Sequence, residues 1–377
     1  MRGHALISKR CVTLLLGALS VAVTVRAGSV LEAIDQEVAS IHEKSRDAIV
    51  RVHAERGLQF GDFPLGSNHR IGTGFFIDNS GLLLTAATVV DDGDHCWIDW
   101  NGQRLAARIV GRDPHTNLAL LQADLEQASE ANRRTPALPL GNSDELRVGS
   151  MVIAMGFPYD LPSTPVVGFV GGLDVKCGGH AFALPYIRAS CKLSPGQGGG
   201  PLLNARGEVV GLVVATHQGD QCYALPIRAA QKVVSDITRY GKPRHGWFGL
   251  GVAERQIGPP AAVSNQWQVF VQEVFSNTPA AKAGFRVGDM LVRIHTNDVR
   301  RLGDVLNSVF YYRCGETTTI TVVRDGQPRS DRGQSNQVSI VIGERPTQAT
   351  VRSAGRLVPS APSNQTPVAI PAAAGHR

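Results

Sequence analysis

From Ala48 to about Tyr240 the chain is a succession of short apolar runs, each ended by glycine or aspartate. Examples are GFFID from Gly74, LLLTA from Leu82, LALLQ from Leu118, MVIAMG from Met151, VVGFVGG from Val166, ALPYIRAS from Ala183 and EVVGLVVAT from Glu208. Runs of this length are strands, and the turn residues between them leave no room for alternating helices. Strands spaced so closely close into barrels or sandwiches rather than into a parallel sheet. The 41 glycines and 21 prolines of the 377-residue chain supply the turns. The reading is a mainly β protein: a double β-barrel, then a smaller α+β domain.

The flanks read differently. A basic start (Arg2, Lys9, Arg10) precedes an apolar run from Cys11 to Val25, and Val25-Arg26-Ala27 offers a cleavage site. That pattern predicts a signal peptide over 1–27 and an exported, periplasmic protein. The alternative is an uncleaved segment anchored in the inner membrane, for which the run is short. Residues 28–46 carry Leu31, Ile34, Val38 and Ile41 at helical spacing and predict an N-terminal helix. A closing helix over 228–240, stopped by Gly241, ends the barrel region of 47–241. Residues 241–246 form a hinge, 246–343 a second domain, and 344–377, rich in Pro, Ala, Ser, Thr and Gln, a disordered tail.

The net charge of +6 says little about partners. Four of those charges lie in residues 1–27 and three in the tail, leaving about −1 on the folded middle. No basic stripe with interleaved aromatics appears, so nucleic acid is excluded as a partner. Removing the leader leaves Cys96, Cys177, Cys191, Cys222 and Cys314, an odd number in an oxidising compartment. No CxxC or HExxH spacing is present, so no metal or other cofactor is expected.

Three collinear segments carry a resemblance. They are Gly72-TGFFIDNSGLLLTAATVV, Arg112-DPHTNLALLQ and Pro195-GQGGGPLLNARGEVVGLVVA. Together they resemble the HtrA/Deg family of periplasmic trypsin-like serine proteases, over nearly all of residues 45–343. Proteolysis in that family needs a hydroxyl nucleophile, a histidine base and a carboxylate that orients it. At the matching positions this chain has Gly198, Thr88 and Asn117. A threonine hydroxyl is no base near neutral pH, an asparagine carries no charge, and glycine has nothing to acylate. The resemblance therefore implies a protease homologue without catalysis. What it keeps is Gly196-Gln197-Gly198, the turn whose N–H groups would form an oxyanion hole, read here as a relic kept for folding. Displaced stand-ins are His95 or His115 as base, Asp113 as orienter, and Ser194 or Cys191 as nucleophile. They define the alternative, an active periplasmic endopeptidase with an unorthodox catalytic set. By resemblance to other trypsin-like proteases, Cys191 and Cys222 are the disulfide candidate.

Val274-FSNTPAAKAGFRVGDMLVRIHTNDV resembles a PDZ domain. Such domains add a partner's extended C-terminus as a strand beside an exposed edge. The resemblance makes Trp247, Phe248, Gly249 and Leu250 the carboxylate-binding loop, and places Val305, Ser308 and Val309 on the facing helix. The implied ligands are C-terminal peptides or unfolded envelope proteins. The implied roles are adaptor, chaperone or regulator, as a homotrimer or in a hetero-assembly with an active paralogue.

Overall fold

The computed structural model describes residues 27–60, 63–91, 93–130, 133–177, 180–217, 220–257, 266–324 and 335–346. The leader expected over 1–27 lies outside these residues except for Ala27, and so does the tail beyond Pro346. Among the described residues no helix is long and apolar enough to cross a membrane.

Helix α1 (Ala27–Ser45) realises the N-terminal amphipathic segment, but only its second half is packed. Ile41 is buried and Val38 rests against the same core, whereas Val30 and Leu31 are 54% and 72% exposed.

Six strands follow: β1 (Ile49–Phe60), β2 (Phe63–Phe76), β3 (Leu82–Ala86), β4 (His95–Trp100), β5 (Gln103–Asp113) and β6 (Leu118–Ala123). They close in the order β1-β2-β3-β6-β5-β4, with β4 pairing back onto β1. A single turn of helix, α2 (Ala87–Val90), continues β3. The second barrel comprises β7 (Met151–Gly156), β8 (Thr164–Cys177), β9 (His180–Ala189), β10 (Pro201–Asn204), β11 (Val209–His217) and β12 (Gln221–Pro226). It closes as β10-β11-β12-β9-β8-β7. Both closures remove free sheet edges, as the even spacing of short strands foretold.

The run from Leu118 to Leu121 is apolar on every residue because β6 is covered on both faces there. Ala119 and Leu121 point into the first barrel, whereas Leu118 and Leu120 belong to the core shared with the second. Phe75 and Phe76 on β2, and Leu84 and Leu83 on β3, split in the same way. Strands β2, β3 and β6 are thus the wall between the barrels, and a cleft at their ends inherits its rigidity.

Helix α3 (Ile227–Tyr240) closes the region, its last turn stopped by Gly241 at φ +72°. The second domain then runs through β13 (Gly246–Trp247), β14 (Leu250–Ile257), β15 (Gln266–Val274), helix α4 (Pro279–Ala283), β16 (Met290–Ile294), β17 (Asn297–Asp298), helix α5 (Leu302–Tyr311), β18 (Thr317–Val323), β19 (Ser335–Val341) and β20 (Gly343–Glu344). Its sheet has the order β14-β15-β16-β18-β19, so β14 lies at an edge. Strand β19 runs beside β18, and β20 pairs with β13 at the domain's entrance. Ordered chain therefore continues past the expected boundary at 344. Glu344 pairs with Lys242 at 2.9 Å and Arg244 at 3.2 Å.

A polar seam joins the two regions where β5 ends. Asp113 is almost fully buried; it accepts hydrogen bonds from Thr116 Oγ1 at 2.6 Å and from the His115 backbone N–H at 3.1 Å. His245 Nε2, from the hinge, lies 3.0 Å from the same carboxylate. Arg345, just after β20, donates to His115 Nε2 at 2.9 Å and through its backbone to His245 O at 2.9 Å.

Candidate functional site

Thr88, Asn117 and Gly198 come near one another between the barrels. Thr88 sits on α2, two residues beyond β3, and Asn117 precedes β6 at φ +56°, a left-handed backbone that asparagine tolerates. The Asn117 Oδ1 accepts the Thr88 backbone N–H at 2.9 Å, and its Nδ2 donates across the cleft to Val214 O on β11 at 3.1 Å. Gly198 lies in the turn before β10, where its carbonyl accepts the Thr73 N–H at 2.8 Å. A Cβ at Gly72 would lie 2.4 Å from Val89 Cγ2 and 3.1 Å from Gly198 O, which places α2 and the turn on either side of one glycine.

The turn itself is well supported. Thr73 Oγ1 donates to Gly196 O at 2.7 Å and accepts from Phe157 N at 3.1 Å. Gly196 and Gly199 take φ of +95° and +85°, a region that favours glycine. Gln197 is buried: its Oε1 accepts the Ser194 N–H at 2.8 Å, while its Nε2 is buried with no hydrogen-bond partner. The cleft thus offers backbone donors, a threonine hydroxyl, a neutral amide, and no side chain at 198.

The stand-ins are dispersed. His115 and Asp113 are spent in the seam with His245 and Arg345. Burial, with Arg345 beside it, depresses His115 to about 3, so the ring is neutral. His95 is exposed at the start of β4. Cys191 is fully buried, its Sγ 3.7 Å from Val166 O. Cys191 and Cys222 are hydrogen-bonded neighbours, which lowers the Cys191 thiol and, with burial, raises that of Cys222. The disulfide candidate is therefore a pair of adjacent free thiols here, and Cys96, Cys177 and Cys314 are free as well. Among the described residues neither His95 nor His115 bonds to Ser194 or Cys191.

In the second domain the loop from Trp247 to Leu250 leads directly into edge strand β14. Trp247 stacks on Phe275 with centroids 6.1 Å apart, and Phe248 is buried in the domain core, its carbonyl accepting from Ala280 N at 2.9 Å. Gly249 is required by the turn: φ is +79°, and a Cβ would fall 2.2 Å from Thr278 Cβ. Gly249→Ala is expected to cost on the order of 3 kcal/mol through overpacking and backbone strain, read as a shifted denaturation midpoint.

On helix α5, Val305 is buried in the domain core and Val309, one turn on, packs against the same core. Val309 and Ser308 are half-buried. The opposite face is bolted to the protease-like region: Arg228 stacks over Tyr311 at 4.4 Å and Lys232 over Phe310 at 5.1 Å. A residue missed from sequence is Glu254 on β14, whose carboxylate accepts Arg301 Nε and the Leu302 backbone N–H, both at 3.0 Å. Its signal was the two-residue step from Leu250 and Val252.

Residues 72–212 match the trypsin-like peptidase domain family, and residues 248–330 the PDZ domain family. This is the HtrA/DegP-type architecture. The chain is 29% identical over 309 residues to a probable periplasmic serine endoprotease DegP-like from Pseudomonas putida, covering 78% of this chain and 63% of that protein. A protein of the same description from Pseudomonas fluorescens is 28% identical over 312 residues, with 80% and 62% covered. The HtrA-like chain thus spans less than two thirds of the length of these relatives. The solved HtrA-type protease AlgW with tripeptide superimposes with a TM-score of 0.66 at 25% identity, covering 83% of this chain and 98% of that one. The serine endoprotease from Yersinia pestis gives 0.58 at 23%, with 82% and 98% covered.

Proposed function

We propose that this chain is an exported HtrA-type protein that does not cut peptides and instead binds C-terminal peptides or unfolded envelope proteins through its PDZ domain. A role as adaptor, chaperone or regulator of an active paralogue follows from that binding. The observation that carries the reading is the contact of Asn117 Oδ1 with the Thr88 N–H, opposite a glycine at 198. The three positions are gathered, yet hold no proton acceptor of the right strength and no atom to attack a carbonyl. Relatives named periplasmic support an envelope location. The open edge at β14, next to a loop of the right form, supports the peptide reading.

The retained oxyanion turn is the one feature favouring the second reading, an endopeptidase with an unorthodox set. Purified full-length chain, treated with a fluorophosphonate probe and with unfolded casein, separates the two. No labelling and no cleavage are expected; stoichiometric labelling of a single serine would overturn the proposal.

A further inference from the structure

Resting on the peptide-binding reading, we infer that the Glu254–Arg301 ion pair is a clasp that limits the PDZ groove to the last four residues of a ligand. The carboxylate loop stands at the N-terminal end of β14, so a chain captured there by its terminus runs antiparallel to that strand. With its last residue level with Leu250, its fourth from the end is level with Ala253 and its fifth with Glu254. Leu250 and Val252 pack against the domain core, and Glu254 follows on the same face.

From that position the Glu254 carboxylate spans the gap between strand and helix. Arg301 grips it with Nε at 3.0 Å and Nη2 at 3.2 Å, and the Leu302 N–H adds a third bond at 3.0 Å. The far side of the clasp is braced as well, since the Arg301 guanidinium lies 4.4 Å over the Trp267 ring on β15. Asp304 accepts the backbone N–H groups of Arg300 and Arg301, both at 2.8 Å, which fixes the start of α5. Helix α5 cannot swing away to admit a longer strand, because Gly303 faces Val175 and Pro185 of the second barrel; a Cβ there would lie 3.3 Å from each. Toward the loop the groove wall is apolar, with Leu250, Leu306 and Val309 half-buried, so the class of ligand is a free C-terminus ending in apolar residues.

The test uses the full chain and fluorescence anisotropy. A labelled decapeptide library with free carboxylates, its last four positions randomised over apolar residues, supplies one reference sequence. The tetrapeptide and decapeptide of that sequence then compete against it, with amidated versions as controls. In the wild type the two should bind within about twofold of one another. In Glu254→Ala and, separately, Arg301→Ala, the decapeptide should gain about tenfold over the tetrapeptide as further backbone bonds become available. A wild-type preference of tenfold for the decapeptide would overturn the clasp and leave the peptide reading intact. So would a ratio near one in both variants, each first shown to be folded by circular dichroism. Equal silence of acid and amide peptides would remove the peptide reading and the clasp together.

Discussion

Chain carrying Thr88→His and Gly198→Ser is expected to cleave unfolded casein measurably where the wild type leaves it intact. The backbone at 198 suits a residue with a side chain: unlike Gly196 and Gly199, it is not in the left-handed region, and its carbonyl is already held by Thr73 N–H. With Asn117 unchanged the new imidazole would sit in the wrong tautomer, which costs about 10⁴ in turnover relative to a full set. Adding Asn117→Asp should recover only part of that factor. The amide donates to Val214 O at 3.1 Å, and a carboxylate placed there would lose that bond and face the carbonyl dipole. Comparing kcat/KM of the double and triple variants measures the effect. A triple variant that is folded yet as silent as the wild type would show that the turn is not held in a catalytic shape.

Asp113→Ala should be the most damaging single change to stability. The carboxylate is buried and serves Thr116, His115 and His245 at once. Removing it leaves three buried donors unpaired, a loss of about 3–5 kcal/mol. For regions of this size that is a Tm fall on the order of 10 °C. The same seam predicts acid lability. Burial by itself would raise Asp113, but hydrogen bonds from His245 and Thr116 outweigh it and hold the carboxyl below its ordinary range. Its contribution is therefore present above the unfolded carboxylate pKa and is lost as pH falls through the lower folded value. His115 acts in the same direction over a higher window. Neutral in the fold and depressed to about 3, it takes a proton only on unfolding as pH falls from 6.5. Stability should decline progressively from pH 6.5 toward 3, and His115→Asn should flatten the upper part of that slope in a pH series of thermal melts.

Much of this was readable in the residues. Strand period and turn chemistry are local properties, so the runs from Ile49 to Pro226 declared an all-β barrel region before any contact was known, and the family resemblance made it two barrels. The positions of Thr88, Asn117 and Gly198 followed because each lies within a motif whose neighbours are intact. What failed depended on distance along the chain. Asp113 and His115 looked like catalytic stand-ins because their partners, His245 and Arg345, come from more than a hundred residues away and carry no periodic signal. The tail boundary failed for the same reason: Glu344 and Arg345 are polar residues ordered by the hinge they touch, whereas composition judges only what a segment can bury by itself. The second packed face of α5, where Tyr311 and Phe310 meet Arg228 and Lys232, went unread because an apolar stripe alone does not say which neighbour it meets.

The pairing of β13 with β20 brings the first and last strands of the PDZ domain side by side. The domain is thus held both at this two-stranded neck and along α5, which packs on the second barrel. Any reorientation must first part the α5 contacts and then pivot at the neck, twisting both strands together. Whatever follows Arg345 leaves from the pivot itself, where a swing of the domain produces the least displacement.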